Sequence, residues 1–62
     1  MTIRKRNEGY VIENEQGEIL CRKPLLNIEV VNSYMTAIFI KNIIEEIGGL
    51  SQYIFMKEGI HG

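Results

Sequence analysis

The first third of the chain contains short β-prone runs of apolar residues bounded by polar ones, and these predict β-strands. Two such runs, residues 10–13 and 18–22, flank a tetrapeptide that ends in Gly17. Glycine adopts the left-handed conformation at the end of a type I turn at little steric cost. The pattern therefore predicts an N-terminal β-hairpin over about 9–22, closed by a three-residue loop with a bulge.

The register of this hairpin distributes apolar side chains over both of its faces. A three-residue loop places Ile12 opposite Leu20, and the neighbouring residues pair accordingly. The two faces then carry Tyr10, Ile12 and Leu20 on one side, and Val11, Ile19 and Cys21 on the other. Glu13 is the odd carboxylate on the second face, and we expect it to find a basic partner or solvent.

Pro24 ends the second strand of the hairpin, because proline cannot donate to a strand ladder. The next segment, residues 27–31, is rich in β-branched side chains and favours a short third strand. A helical first turn capped by Asn27 fits the same residues equally well. The sequence leaves these two interpretations open.

The spacing of apolar residues predicts the main helix over about 32–47, and Gly48-Gly49 supplies its left-handed end. Aromatic and β-branched residues then predict a C-terminal strand over about 51–57. A short helix capped by Ser51 is the alternative for this last segment. The fold class is α+β: a hairpin, a short third strand, one helix and a last strand in a single domain spanning 1–62.

The predicted helix is apolar around most of its circumference in its N-terminal half. One wide face holds Ala37, Phe39, Ile40, Ile43, Ile44 and Ile47. Tyr34, Met35 and Ile38 fall roughly opposite that face. A helix that is apolar all round is normally buried all round. One small hairpin cannot cover both sides of it.

Length and composition turn this excess of apolar surface into a prediction of association. The 62 residues are 45% hydrophobic and 24% charged, which is typical of a globular domain. Small domains gain stability from disulfides, metals or association, and one cysteine with one histidine excludes the first two within a chain. We therefore predict a homodimer or an obligate protein partner, with its interface at Tyr34, Met35, Ile38 and one face of the hairpin. The alternative is that residues 53–56 cover the second face.

Five of the seven basic residues are predicted to gather at one end of the hairpin: Arg4, Lys5, Arg6, Arg22 and Lys23. Such a patch could contact a phosphate backbone or an acidic protein surface. The aromatic residues are not spaced as a stacking platform for bases, and the net charge is −1. The simpler interpretation is a basic, flexible arm over 1–8 that aids solubility, with frayed residues over 59–62.

Catalytic chemistry has little support in the sequence. Gly48-Gly49 follows a helix and lacks a Lys-Ser/Thr pair, so it is interpreted as a helix end rather than a phosphate-binding loop. Cys21 lies within a strand and His61 near the end of the sequence, so a buried thiol is favoured over a nucleophile and base. We expect no enzyme activity, no cofactor, no metal and no small-molecule substrate.

The longest uninterrupted apolar run, residues 37–40, is too short for a secretory signal or a membrane span. This predicts a cytoplasmic protein, in which a single reduced cysteine is ordinary. Eleven isoleucines are typical of AT-rich coding, as in low-GC bacteria and their phages. We therefore predict a small accessory protein that regulates or inhibits a larger cellular protein by direct binding. The alternative is a nucleic-acid-binding regulator whose basic patch is doubled by dimerisation.

Overall fold

The structure, a computed structural model, describes residues 1–58 and has the predicted α+β architecture. Its antiparallel sheet consists of β1 (Thr2–Arg6), β2 (Gly9–Glu13), β3 (Glu18–Arg22), β4 (Asn27–Ile28) and β5 (Tyr53–Lys57). One helix, α1 (Tyr34–Ile47), packs on one face of this sheet against β1 and β2. The fraying predicted for residues 59–62 lies outside the described residues.

The hairpin β2–β3 forms with the predicted loop. Gly17 has a φ of +78°, and its N–H donates to the carbonyl oxygen of Asn14 at 3.1 Å. The side-chain oxygen of Asn14 also accepts the N–H groups of Gln16 at 3.0 Å and Glu18 at 2.8 Å, which fixes the turn. Glu13 pairs with Ile19, the register that the sequence predicts.

Beyond that pair β2 and β3 part, so the predicted pairing of Ile12 with Leu20 is wrong. Residues 27–31 occupy the space between the two strands. β4 pairs with the end of β3, and Val31 bridges Tyr10 of β2 through two backbone hydrogen bonds of 2.7 and 2.8 Å. Gly9 allows this approach, because a Cβ atom there would overlap the carbonyl group of Val31. The strand interpretation of residues 27–31 is therefore confirmed, as a two-residue strand and a bridge, and the helical turn is wrong.

Thr2–Arg6 form an edge strand, so the flexible arm predicted for residues 1–8 is wrong. This strand, β1, pairs with β2 along its whole length, and Ile3 lies beside Ile12 at the core. Three consecutive basic residues obscure the alternating pattern in the sequence. Charged side chains are nevertheless typical of edge strands, where they discourage pairing with other chains.

The helix and the C-terminal strand are confirmed. α1 begins after Ser33, whose hydroxyl oxygen accepts the N–H of Thr36 at 3.5 Å, and it ends at Gly48 with a φ of +95°. β5 pairs with β3 over five residues, so the alternative of a C-terminal helix is wrong. Because β5 lies beside β3 within the sheet, residues 53–56 do not form a separate layer over a second apolar face.

The main core lies between α1 and the sheet. It is built on Ile12, Leu20 and Ile44, with Met1, Ile3, Ile40, Leu50, Tyr53 and Phe55 packed around them. Phe39 and Ile47, which the periodicity assigns to the core face, are instead 64% and 66% exposed. A helix that packs on one layer buries only a stripe of its circumference, and here that stripe follows Ala37 and Ile44.

Candidate interaction surface

The exposed apolar side chains of α1 form a continuous row, which we call the α1 ridge: Met35, Phe39, Ile43 and Ile47. Met35 is 79% exposed, Phe39 and Ile47 are nearly as open, and Ile43 is half-buried. Its members are four residues apart, and rows of this spacing are the ridges with which helices pack against each other. The α1 ridge is therefore the strongest candidate contact surface in the described chain.

The three residues predicted as an interface have different surroundings. Met35 begins the α1 ridge. Tyr34 is half exposed, and its ring packs edge-on against Tyr10 with 5.4 Å between ring centres. Ile38 is half-buried and, by helical spacing, lies on the Tyr34 side of the helix. Thus only one of the three belongs to the ridge.

The sequence contains the signal for the ridge, since every fourth residue from 35 to 47 is apolar. The periodicity nevertheless groups Phe39, Ile43 and Ile47 with Ala37 and Ile44 on one wide face of the helix. Periodicity shows which residues share a stripe of the helix, but not which stripe meets the sheet. That orientation is fixed by packing around Ala37 and Ile44, the two buried residues of α1.

The charges of α1 run against its macrodipole. No acidic residue lies in its first turn, while Glu45 and Glu46 lie in its last turn without a basic residue beside them in that turn. A helix favours the reverse arrangement, with acidic residues near its N-terminus and basic residues near its C-terminus. Glu45 is compensated by Lys41, whose ammonium group lies 3.4 Å away. Glu46 is exposed and takes part in none of the ion pairs found within residues 1–58.

The five basic residues of the predicted patch are divided between the two faces of the sheet. The strand register places Arg4 and Arg6 on the face away from α1. Lys5 lies on the other face, with its ammonium group 5.1 Å from the ring centre of Tyr10. Arg4 forms an ion pair with Glu13, so the expectation of a basic partner for that carboxylate is confirmed.

Arg6 and Glu58 join the two outer strands on the face away from the helix, and we call this pair the Arg6–Glu58 clasp. The guanidinium group donates two hydrogen bonds of 2.7 and 2.6 Å to the carboxylate. Arg6 ends β1 and Glu58 follows β5, so the pair joins residues that are 52 positions apart in the chain. The hydrogen bonds from Arg6 hold the pKa of Glu58 below its ordinary value.

Arg22 is held in a second carboxylate pair, with Glu29. Its guanidinium group donates hydrogen bonds of 2.9 and 3.1 Å, and the Tyr53 hydroxyl donates to the same carboxylate at 3.4 Å. The hydrogen bonds from Arg22 lower the pKa of Glu29, while burial raises the pKa of Tyr53. Lys23 is exposed. Carboxylates thus neutralise three of the five basic residues, which reduces the charge available to a phosphate backbone.

The sheet face away from α1 is also apolar. Val11, Ile19 and Cys21 are buried on this face. A groove of about 240 Å³ opens beside them, which we call the far-face groove; it is lined by Arg6, Asn7, Glu8, Val11, Ile28 and Val30. Its lining combines an apolar floor with charged groups of both signs.

The cysteine is poorly placed for chemistry. Cys21 is a buried free thiol, and burial raises its pKa, which keeps it protonated at neutral pH. His61, its candidate base in the sequence, lies outside the described residues. No three His, Cys, Asp or Glu side chains within residues 1–58 are grouped so that they could hold a metal ion.

Residues 1–58 contain no helix with the length and apolar character needed to cross a membrane. Comparison with protein-family models, curated proteins and solved structures finds no match for this chain. Its function must therefore be inferred from its own surfaces.

Proposed function

We propose that this chain is a small non-enzymatic interaction module, a homodimer that regulates or inhibits a larger cellular protein by binding to it. The α1 ridge carries this proposal. Single exposed apolar residues are ordinary, whereas a contiguous apolar patch marks a contact surface. Here the row extends along a helix of about 21 Å, from its first turn to its last.

The size of the ridge indicates how tightly two copies would associate. A standard interface buries about 800 Å² per partner, roughly a fifth of the 4418 Å² surface of this chain. One face of a 14-residue helix offers less area than that. We therefore expect a weak dimer with a dissociation constant in the micromolar range.

If the ridges are used for dimerisation, the far-face groove is a surface left for the larger protein. It offers the apolar side chains of Ile28 and Val30 between the charged groups of Arg6 and Glu8. An apolar centre with a polar rim is the usual composition of a protein interface. Because the groove and α1 lie on opposite sides of the sheet, the dimer would present two such grooves.

Substitution of one ridge residue tests the dimer directly. We expect Phe39→Asp to be monomeric, because it places a charge in the middle of the apolar contact. Leu25→Asp is the matched control, since Leu25 is 77% exposed but lies in the loop between β3 and β4. Sedimentation equilibrium from about 1 to about 200 µM gives the dissociation constant of each variant.

A wild-type chain that stays monomeric at the highest concentration would refute the homodimer, and so would a Phe39→Asp variant that associates like the wild type.

The larger protein is sought by recovering the tagged chain from cells and remaking the complex from two purified proteins. A Val30→Lys substitution should abolish that complex and leave the dimer intact. Recovery of nucleic acid would instead favour the alternative of a nucleic-acid-binding regulator.

A further inference from the structure

We propose that two copies of this chain pair their α1 helices in opposite directions, so that the last turn of each lies beside the first turn of the other. This inference rests on the proposed homodimer and adds its geometry. A two-fold symmetric interface uses the same patch on both copies. The four members of the ridge are evenly spaced about its centre, so the two central residues meet: Phe39 of one copy would contact Ile43 of the other.

Charge complementarity selects the antiparallel arrangement. Glu45 and Glu46 lie at the negative end of their own helix, whereas the first turn has no acidic residue to offset its positive end. Antiparallel packing brings Glu46 of each copy next to the uncompensated first turn of the other, and the symmetry makes this contact twice. Parallel packing would gather four glutamates at one end of the dimer, which is unfavourable because like charges repel.

Position 35 is the place to probe this geometry. Glu46 is eleven residues from Met35, close to three full turns of helix, so the two side chains point in nearly the same direction. In an antiparallel dimer the two-fold axis is perpendicular to both helices. The side of the ridge that carries Met35 and Glu46 therefore lies on the same side of the dimer in both copies. The Glu46 carboxylate of one copy would therefore approach residue 35 of the other copy.

The experiment compares Met35→Lys with Met35→Glu, which remove the same apolar side chain and introduce opposite charges. Within the dimer, Lys at position 35 attracts Glu46 of the second copy and Glu repels it. We expect the Lys variant to dimerise at least about fivefold more tightly at low salt. Adding Glu46→Lys to both variants should reverse this order.

Changes in helix stability cannot produce this order of dimer affinities, because they rank the two Met35 variants in the opposite order. In the first turn of its own helix, Glu is favoured by the macrodipole and Lys is disfavoured. Thermal unfolding followed by circular dichroism should therefore rank the helix of Met35→Glu above that of Met35→Lys. The dissociation constants from sedimentation should rank the two variants the other way.

Equal dissociation constants for the two Met35 variants, or an order unchanged by Glu46→Lys, would overturn the antiparallel geometry while the dimer itself stands. A monomeric wild type would overturn the dimer as well. If both Met35 variants are monomeric, the dissociation constant of the single variant Glu46→Lys tests the antiparallel geometry. Antiparallel pairing requires it to weaken the dimer, and a tighter dimer would overturn the proposal.

Discussion

At the residue scale, carboxylates paired with arginines connect segments that are far apart in the chain. Glu29, just after β4, binds Arg22 of β3 and accepts a hydrogen bond from Tyr53 of β5. The Glu29 side chain is only 18% exposed, whereas the Arg22 side chain is 55% exposed. The sequence predicted a basic partner for Glu13, because a charge on an apolar strand face needs one. No comparable local signal marked Glu29.

The lowered pKa of Glu29 makes stability depend on pH. A carboxylate whose pKa is lower in the folded chain than the ordinary value of about 4.3 stabilises the fold above that value. The contribution is lost as the pH falls through the folded pKa. Glu29→Gln should therefore reduce the free energy of unfolding by up to about 1 kcal/mol at neutral pH, and by progressively less below about pH 4. Urea titrations of both proteins across this pH range measure the difference, and a constant difference would contradict the prediction.

At the element scale, the fold depends on the gap between β2 and β3. Gly9 faces residues 27–31 there, and a Cβ atom at Gly9 would lie 3.0 Å from the carbonyl carbon of Val31 and 3.1 Å from a methyl group of Val30. Backbone atoms cannot move aside without losing the Tyr10–Val31 bridge. This close packing explains why glycine begins β2.

Gly9→Ala should therefore destabilise the chain by about 2 kcal/mol or more. Gly49→Ala is the control, because Gly49 has nearly the same φ, +154° against +156°, and open space where its Cβ would lie. Chemical denaturation of the two variants separates the free-energy cost of the overlap with Val31 from the cost of placing alanine at this φ. Equal losses would show that contact with Val31 does not matter.

Most elements could be predicted from local signals: the turn at Gly17, the helix end at Gly48 and the aromatic and β-branched residues of β5. The strand β1 was missed because its consecutive basic residues resemble a solvated arm, and only pairing with β2 gives them a sheet position. The orientation of α1 was missed for a related reason. Phe39 and Ala37 are both apolar and share one wide face in the sequence pattern, and only packing on the sheet decides which of them is buried.

At the scale of the whole molecule, the excess of apolar surface predicted from the sequence is divided between two places. Part of it, on the sheet face away from α1, is buried: Val11, Ile19 and Cys21 are at most 4% exposed, and Arg6 lies beside Val11. Long basic side chains cover apolar surface with their aliphatic portions while their charged ends stay in water. The other part is exposed: it includes the α1 ridge, where Met35, Phe39 and Ile47 are 64–79% exposed, and single side chains elsewhere such as Leu25 and Ile54.

The central position of β3 determines how the chain exchanges its amide hydrogens with solvent. β3 has β5 on one side and β2 followed by β4 on the other, whereas β1 pairs only with β2 among the described strands. The β3 amides that pair with β5 should exchange only when the entire sheet opens, and the outward-facing amides of β1 should exchange first. Deuterium uptake followed by NMR checks this order, and similar rates in both strands would contradict it. The exchange rate of one slow amide in β3 would then give the free energy of global opening for any variant, with no need to add denaturant.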